Sequence, residues 1–234
     1  YNDWKSLNRL ISEIDVKIEE INNFRNEILV INDCSTKKIY IKRKKLKNIK
    51  QINSLTLEKN CGSQKAIAVG LFYLKQKKKN FYITVMDSDG EDQPKEIVGM
   101  VRTAKKFKEF VITSNRKKRK ESFYIRFLYN IHLIMTFFFT FKWMSFGNFT
   151  TFHSNNLEKI LKRNESWLAH SSAVIKNCNI KRVFAKRGKR YFDKSKLSLF
   201  NLIEHSLRVN AVFSNRIFFS SIFYIFIFKI FIMN

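Results

Sequence analysis

Apolar residues recur at Trp4, Leu7, Ile11, Ile14 and Ile18, steps of three and four that lay a single stripe along a helix, with Asp3 placed to cap it. Residues 27–31 (EILVI) form a short continuous apolar run, which predicts a buried strand, and it stops at the polar turn Asn32, Asp33, Cys34, Ser35, Thr36. Residues 37–50 are basic and read as helical or loose, 52–57 as a strand, 60–63 as a turn, and 64–74 as a helix with small residues on one side. Residues 81–86 (FYITVM) are the clearest strand, ending in the acidic loop from Asp87 to Asp92. Pro94 then sits where a first helical turn tolerates it, opening a helix to about Phe107 and a strand over 109–113. Strands that are nearly all apolar and alternate with helices predict an α/β fold whose mostly parallel sheet is covered on both faces.

Beyond Ser122 the pattern changes. Residues 123–146 are a long Phe-rich helical stretch, 149–152 a short strand, 155–162 a short helix, 180–185 a strand and 197–209 a helix. The run over 217–233 is apolar except mainly for Ser220, Ser221 and Lys229. It falls just short of the ~20 residues that cross a bilayer and reads as the start of a transmembrane or interfacial helix. No internal repeat is visible. The chain opens on Tyr1-Asn2-Asp3, with no initiator Met and no apolar leader, and reads as a piece of a longer sequence.

Composition sharpens this picture at two points. The 234 residues carry 45 Lys and Arg against 19 Asp and Glu, a formal charge of +26. Basic runs at 37–50, 75–79, 116–120 and 186–196 are scattered over segments of different character, which fits a solvated lysine surface or attraction to phosphates and anionic lipid better than a nucleic-acid groove. The three cysteines, Cys34, Cys61 and Cys178, contain no C-x-x-C pair, so a zinc ribbon and a thioredoxin-like motif are both excluded, and free thiols suit a reducing compartment.

Against so basic a background, acids at strand ends are informative. Two apolar runs end directly in carboxylates, at Asn32-Asp33 and at Asp87-Ser88-Asp89. In an open α/β sheet, ligands bind beyond the carboxyl ends of the strands. Two carboxylates at i and i+2 suit a hard cation such as Mg²⁺ or Mn²⁺, which takes one or two carboxylates and completes its shell with phosphate oxygens.

Taken in order, Tyr1-Asn2-Asp3, Val30-Ile31-Asn32-Asp33-Cys34-Ser35-Thr36, Asn60-Cys61-Gly62 with Ala66 and Gly70, and Met86-Asp87-Ser88-Asp89 with Pro94 resemble glycosyltransferase family 2, the inverting GT-A enzymes, and among them the polyprenyl-phosphate sugar transferases. Later segments are similar as well: Ser114-Asn115-Arg116 through Arg119 to a G-x-R-x-x-R motif, Phe146-Gly147-Asn148-Phe149 to G-D-F, and Arg187 through Lys196 to R-x-x-R-x-x-G-x-S-K. The resemblance implies a Rossmann-like GT-A domain with C-terminal amphipathic or membrane helices. Residues 1–122 would form its nucleotide-sugar part, with the family's first strand lying before Tyr1. Residues 123–212 would form the acceptor side, and 213–234 the start of a membrane helix.

The same resemblance implies roles. Asp3, Asp33, Asn60, Gly62 and Asp87 would bind the nucleotide-sugar, and Asp89 would hold Mg²⁺ or Mn²⁺. Asp87, Asp89, Arg187 and Arg190 would form the catalytic set, while Arg116, Arg119, Arg187, Arg190 and Ser195 would hold phosphates of donor or acceptor. The expected reaction moves a sugar from a UDP- or GDP-sugar to a polyprenyl phosphate at the cytoplasmic face of a membrane. Arginine forks suit phosphate oxygens, and an ionised phosphate needs no strong base to attack. Three other readings stand beside it: a family 2 enzyme acting on a saccharide hydroxyl, a basic nucleic-acid-binding protein, and a non-catalytic membrane-anchored remnant of the fold. The sequence departs from the family pattern where Cys34 replaces a Gly, Gly90-Glu91-Asp92-Gln93 replaces L-Q-D-P, Asn148 replaces the Asp of G-D-F and Asp193 replaces a late Gly.

Overall fold

The computed structural model describes residues 1–21, 23–42, 46–77, 80–117, 123–192 and 199–233. In chain order they form α1 (Trp4–Lys17), β1 (Asn26–Asn32), β2 (Ile49–Thr56), α2 (Ser63–Lys75), β3 (Tyr82–Val85), α3 (Lys95–Lys106), β4 (Phe110–Lys117), α4 (Phe123–Thr140), β5 (Phe146–His153), α5 (Leu157–Ile160), α6 (His170–Asn177), β6 (Asn179–Lys186), α7 (Leu199–Ala211) and α8 (Ser214–Met233).

The α/β expectation holds, and the strand pairing refines it. The described strands form two sheets, a parallel pair β1–β2 and a four-stranded sheet in the order β3-β5-β4-β6. β4 and β6 are parallel, but β5 runs antiparallel to both of its neighbours. The 123–146 stretch breaks at Phe141, whose positive φ of 52° ends α4, and the chain returns as the eight-residue β5 rather than a short strand. Among the described residues, β1 and β3 do not pair with each other.

Side chains alternating along the strands feed two cores. Tyr82, Ile112 and Phe149 face α1 and α3 together with Val30, Leu7, Ile11 and Met100. Ile83, Val111 and Phe152 face the opposite layer, with Leu71 of α2, Ile160 of α5, Val174 of α6 and Phe213. The first of these cores contains residues of both sheets, and it keeps the carboxyl ends of β1 and β3 in one body.

One buried carboxylate sets where β2 begins. Asp15 of α1 accepts hydrogen bonds from the backbone N–H groups of Lys47 at 2.9 Å, Asn48 at 2.8 Å and Ile49 at 2.9 Å. Burial alone would raise its pKa, but the three N–H donors outweigh burial and hold it below the usual aspartate value.

The three long helices of the second half have an inverted polarity. α4 meets α7 through polar groups, with Thr136 Oγ1 donating to Asn210 Oδ1 at 3.1 Å and Ser206 Oγ lying 2.5 Å from His132 Nδ1. The C-terminal carbonyls of α4 are closed by α8. Tyr224 OH donates to Phe138 O at 2.7 Å, Ser220 Oγ to Phe139 O at 3.0 Å and Arg216 Nη1 to Thr140 O at 3.0 Å. Outward, α4 presents Phe127, Ile131, Ile134, Met135 and Phe138, and α7 presents Phe200, Ile203 and Leu207. Away from that α4-facing edge α8 is mostly apolar, 20 residues long with mean hydropathy 1.9, and it is long and apolar enough to cross a membrane.

Asp15→Ala is expected to lower unfolding stability by roughly 2 kcal/mol at pH 7. A carboxylate whose pKa is depressed by folding stabilises above its unfolded pKa, and that contribution is lost as pH falls through the lower folded value. Urea melts at pH 7 and near pH 3 should therefore show the difference between wild type and variant shrinking with acid.

Candidate functional site

Two clusters of loops gather at the carboxyl ends of β1 and β3. The first joins the opening residues to the turns after β1 and β2. Asn2 N–H donates to Ser35 Oγ at 2.8 Å, and Asn2 Oδ1 accepts from Lys37 N–H at 3.0 Å. Asp33 follows β1 and is buried. Its carboxylate spans two backbone donors of the turn before α2, Cys61 N–H at 2.7 Å and Gly62 N–H at 2.9 Å. Asp33 therefore holds the loop that carries Asn60 and Gly62, a role its position in the sequence did not announce. Gly62 has φ of +84°, a backbone that side chains with a Cβ rarely adopt. Asp3 sits at the N-cap of α1, but with ψ of 44° its side chain makes no capping bond, and its carbonyl takes Leu7 N–H instead.

The second cluster is the acidic loop after β3 with a strap from the segment that follows β6. Arg190 Nη2 lies 2.6 Å from Asp89 Oδ2, its Nε lies 3.6 Å from Glu91, and Arg187 pairs with Glu91. Backbone bonds fasten the same strap, Tyr191 N–H to Asp89 O at 2.9 Å and Gly188 N–H to Glu91 O at 2.8 Å. A Cβ on Gly90 would stand 2.6 Å from the Tyr191 ring, and Gly188 passes directly over Gly90 O, so both glycines are required by this close approach. The far end of the strap rests on α1. Tyr191 OH donates to Glu13 Oε2 at 2.5 Å, Arg9 covers the Tyr191 ring at 4.3 Å, and Lys5 covers Phe192 at 4.0 Å.

Electrostatics in this cluster are finely opposed. Burial, then the neighbouring Asp87 and Glu91 carboxylates, push Asp89 above the usual aspartate value against the pull of Glu91 N–H and Arg190. Asp87 accepts from Asn148 Nδ2 of β5 at 3.3 Å, and its backbone N–H donates to Asp92 Oδ2 at 3.1 Å. The two clusters are bridged by Gln64 of α2, whose Nε2 donates to Asn148 Oδ1 at 3.1 Å.

The structure thus brings Asp87, Asp89, Arg187 and Arg190 into one group and Asp33, Asn60 and Gly62 into the adjoining one. Arg116 lies on β4, Arg119 and Ser195 fall outside the described residues, and so does Asp193. Sequence reading missed Glu91, which receives Arg187, and Gln64, which ties the clusters. Glu91 is adjacent to a recognised acid motif and oppositely charged to the late arginines, which was the available signal; Gln64 left none. Among the described residues, no group of three or more His, Cys, Asp or Glu side chains converges as a metal site. Asp89 has both oxygens engaged, one by Glu91 N–H at 2.9 Å and one by Arg190, so a cation at Asp89 would meet the Arg190 charge beside it.

At position 34, where Cys replaces the family's Gly, the backbone keeps a glycine-like conformation. It has φ of 53°, the left-handed conformation that favours glycine. Cys34→Gly is expected to raise unfolding stability by about 1 kcal/mol, read as a higher denaturant midpoint with unchanged slope.

A comparison with curated proteins returned no match. The family model described as Glycosyl transferase family 2 matches residues 1–157, two thirds of the chain and the whole stretch from the Tyr1 loop through the acidic cluster to β5. Members of that family commonly use a divalent metal. With the ordered motifs lying on two adjoining loop clusters of an α/β domain, the chain belongs to glycosyl transferase family 2 and is a glycosyltransferase that takes its sugar from a nucleotide-sugar donor.

Proposed function

We propose that this transferase passes the sugar of a UDP- or GDP-sugar, with inversion, to a polyprenyl phosphate at the cytoplasmic face of a membrane. The observation that carries the reading is the commitment of the acids at the end of β3. Asp87 is bonded by Asn148, Asp89 by Arg190, and Glu91 by Arg187. Taking a proton from a sugar hydroxyl needs an uncommitted base, whereas a phosphate oxygen arrives already ionised. In that step the acceptor phosphate oxygen bonds to the sugar C1, the C1 bond to the diphosphate breaks, and the nucleoside diphosphate leaves with the electron pair. Asp33 keeps the Asn60–Gly62 turn in place beside the nucleotide, which Asp3 would contact as well.

Asp89, with Asp87 beside it, would hold Mg²⁺ or Mn²⁺, which when bound neutralises the leaving diphosphate. The strap arginines do the rest. Arg187 and Arg190 are balanced by Glu91 and Asp89. When donor and cation bind, Arg190 would exchange Asp89 for a diphosphate oxygen and Asp89 would pass to the cation, while Arg187 would reach phosphate without leaving Glu91. Tyr191, held at Glu13, keeps the strap tethered to α1 during that exchange.

The inverted polarity of α4, α7 and α8 supports the membrane part of the reading. Polar groups lie between these helices and Phe, Ile and Leu face outward, which is costly in water and favourable against lipid. Closing the last carbonyls of α4 with Arg216, Ser220 and Tyr224 removes unsatisfied backbone groups that an apolar surrounding would penalise.

Membranes carrying the full chain, given UDP-glucose or GDP-mannose labelled in the sugar, should transfer label to material extracted into organic solvent, in a reaction abolished by EDTA. Asp89→Ala should reduce it by more than ~100-fold. Label accumulating instead in water-soluble glycan would overturn the phosphate acceptor. Carbonate washing should leave the chain in the membrane pellet, with detergent releasing it, and release by carbonate alone would contradict the membrane reading.

A further inference from the structure

The amide chain that links α6 to Asp87 has a fixed direction. His170 is the first residue of α6, and its backbone N–H, one of the donors a helix start leaves without an intrahelical partner, donates to Gln64 Oε1 at 2.7 Å. A backbone N–H can only donate, so the Gln64 oxygen must face it. The Gln64 Nε2 group then faces Asn148 and donates to Oδ1 at 3.1 Å. That leaves Asn148 Nδ2 facing Asp87 Oδ1 at 3.3 Å. Each orientation follows from the one before, beginning with a group that cannot be reversed.

The ring beneath is set in the same sense. Thr150 Oγ1 donates to Asn148 O at 3.2 Å and lies 2.9 Å from His170 Nε2. Burial pushes the His170 pKa down to about 4, so the imidazole is neutral at pH 7 and gives its Nε2–H to Thr150. Gln64 and His170 are both buried, so the first bond of the chain is shielded from water, while Asn148 and Asp87 are half-buried at its site end.

We propose that Gln64 and Asn148 are positioning residues of the donor site, a relay that carries the orientation of the α6 N-terminus to the Asp87 carboxylate and aims it at the nucleotide-sugar. The assignment rests on the donor reading of Asp87. It also explains the residue type at 148. In this chain, where Asn148 replaces the family's Asp, the residue accepts from Gln64 and donates to Asp87 at once, and an amide does both. A carboxylate there accepts from Gln64 but faces the Asp87 carboxylate with like charge.

The test is equilibrium binding of UDP and of GDP, each with Mn²⁺, to the detergent-solubilised full chain and its variants, with thermal melts as the folding control. Asn148→Ala is expected to weaken nucleotide binding roughly tenfold, and Asn148→Asp further, with melting temperatures near wild type. Gln64→Ala should weaken it roughly three- to fivefold in the wild-type background and not at all in the Asn148→Ala background, because it acts through Asn148. Gln64→Glu, which keeps the bond to His170 and loses the donor to Asn148, should reproduce the loss and serves if Gln64→Ala does not fold. Additive losses, or nucleotide affinity indifferent to Asn148, would overturn the relay while leaving the donor site intact. A wild-type chain that binds neither nucleotide overturns the donor reading, and the relay with it.

Discussion

The structure turns on the pairing of two arginines behind β6 with two carboxylates in the loop after β3. Asp87, Asp89, Glu91 and Asp92 lie within six residues, in a chain with far more bases than acids. Such crowding is repulsive unless cations meet it, and burial of Asp89 sharpens the demand. Arg187 and Arg190 meet it from a segment nearly a hundred residues away, and in doing so they draw the strap across the acidic loop. Tight backbone contact at Gly90 and Gly188, and the seat of Tyr191 on α1, follow from that closure. The pairing is also reversible in kind, since arginine forks that hold carboxylates in one state hold phosphates in another.

What presents these groups is the alternation of the strands. Because odd and even positions of β5 feed opposite cores, Phe149 and Phe152 anchor the strand from both faces, and Asn148 is left at the site end beside Asp87. β5 is also the strand that breaks the parallel order, and antiparallel entry is what delivers its first residues, rather than its last, to the rim where β3 ends. The helix before it, α4, is fixed at its C-terminus by α8, so the apolar tail and the rim where β3 ends are connected by one short stretch of chain.

Much of this was legible in the residues. The steps from Trp4 to Ile18, the FYITVM strand and the Pro94 helix start appear at their expected places, because in each the local pattern and the burial agree. The Asp-x-Asp loop and the late arginines were found by their order along the chain. Less legible was whatever depends on a distant partner. Asp33, expected to contact the nucleotide-sugar, also accepts two backbone bonds from the next turn, a role that local pattern does not show. Apolar composition predicts one long helix over the Phe-rich stretch because it does not mark a left-handed residue such as Phe141. β5 looked too short because Gly147 and Asn148 interrupt its apolar run, although both lie in the strand. No sequence signal distinguished Gln64 from other glutamines, since its importance lies in two bonds reaching 84 and 106 residues ahead.

The account rests on an arginine that changes partner when the donor arrives. A structure of the full chain with Mn²⁺ and UDP or GDP tests this most directly. The account predicts the Arg190 guanidinium on diphosphate oxygens, withdrawn from Asp89, with Tyr191 still at Glu13. An Arg190–Asp89 pair intact beneath a bound nucleotide diphosphate would contradict it.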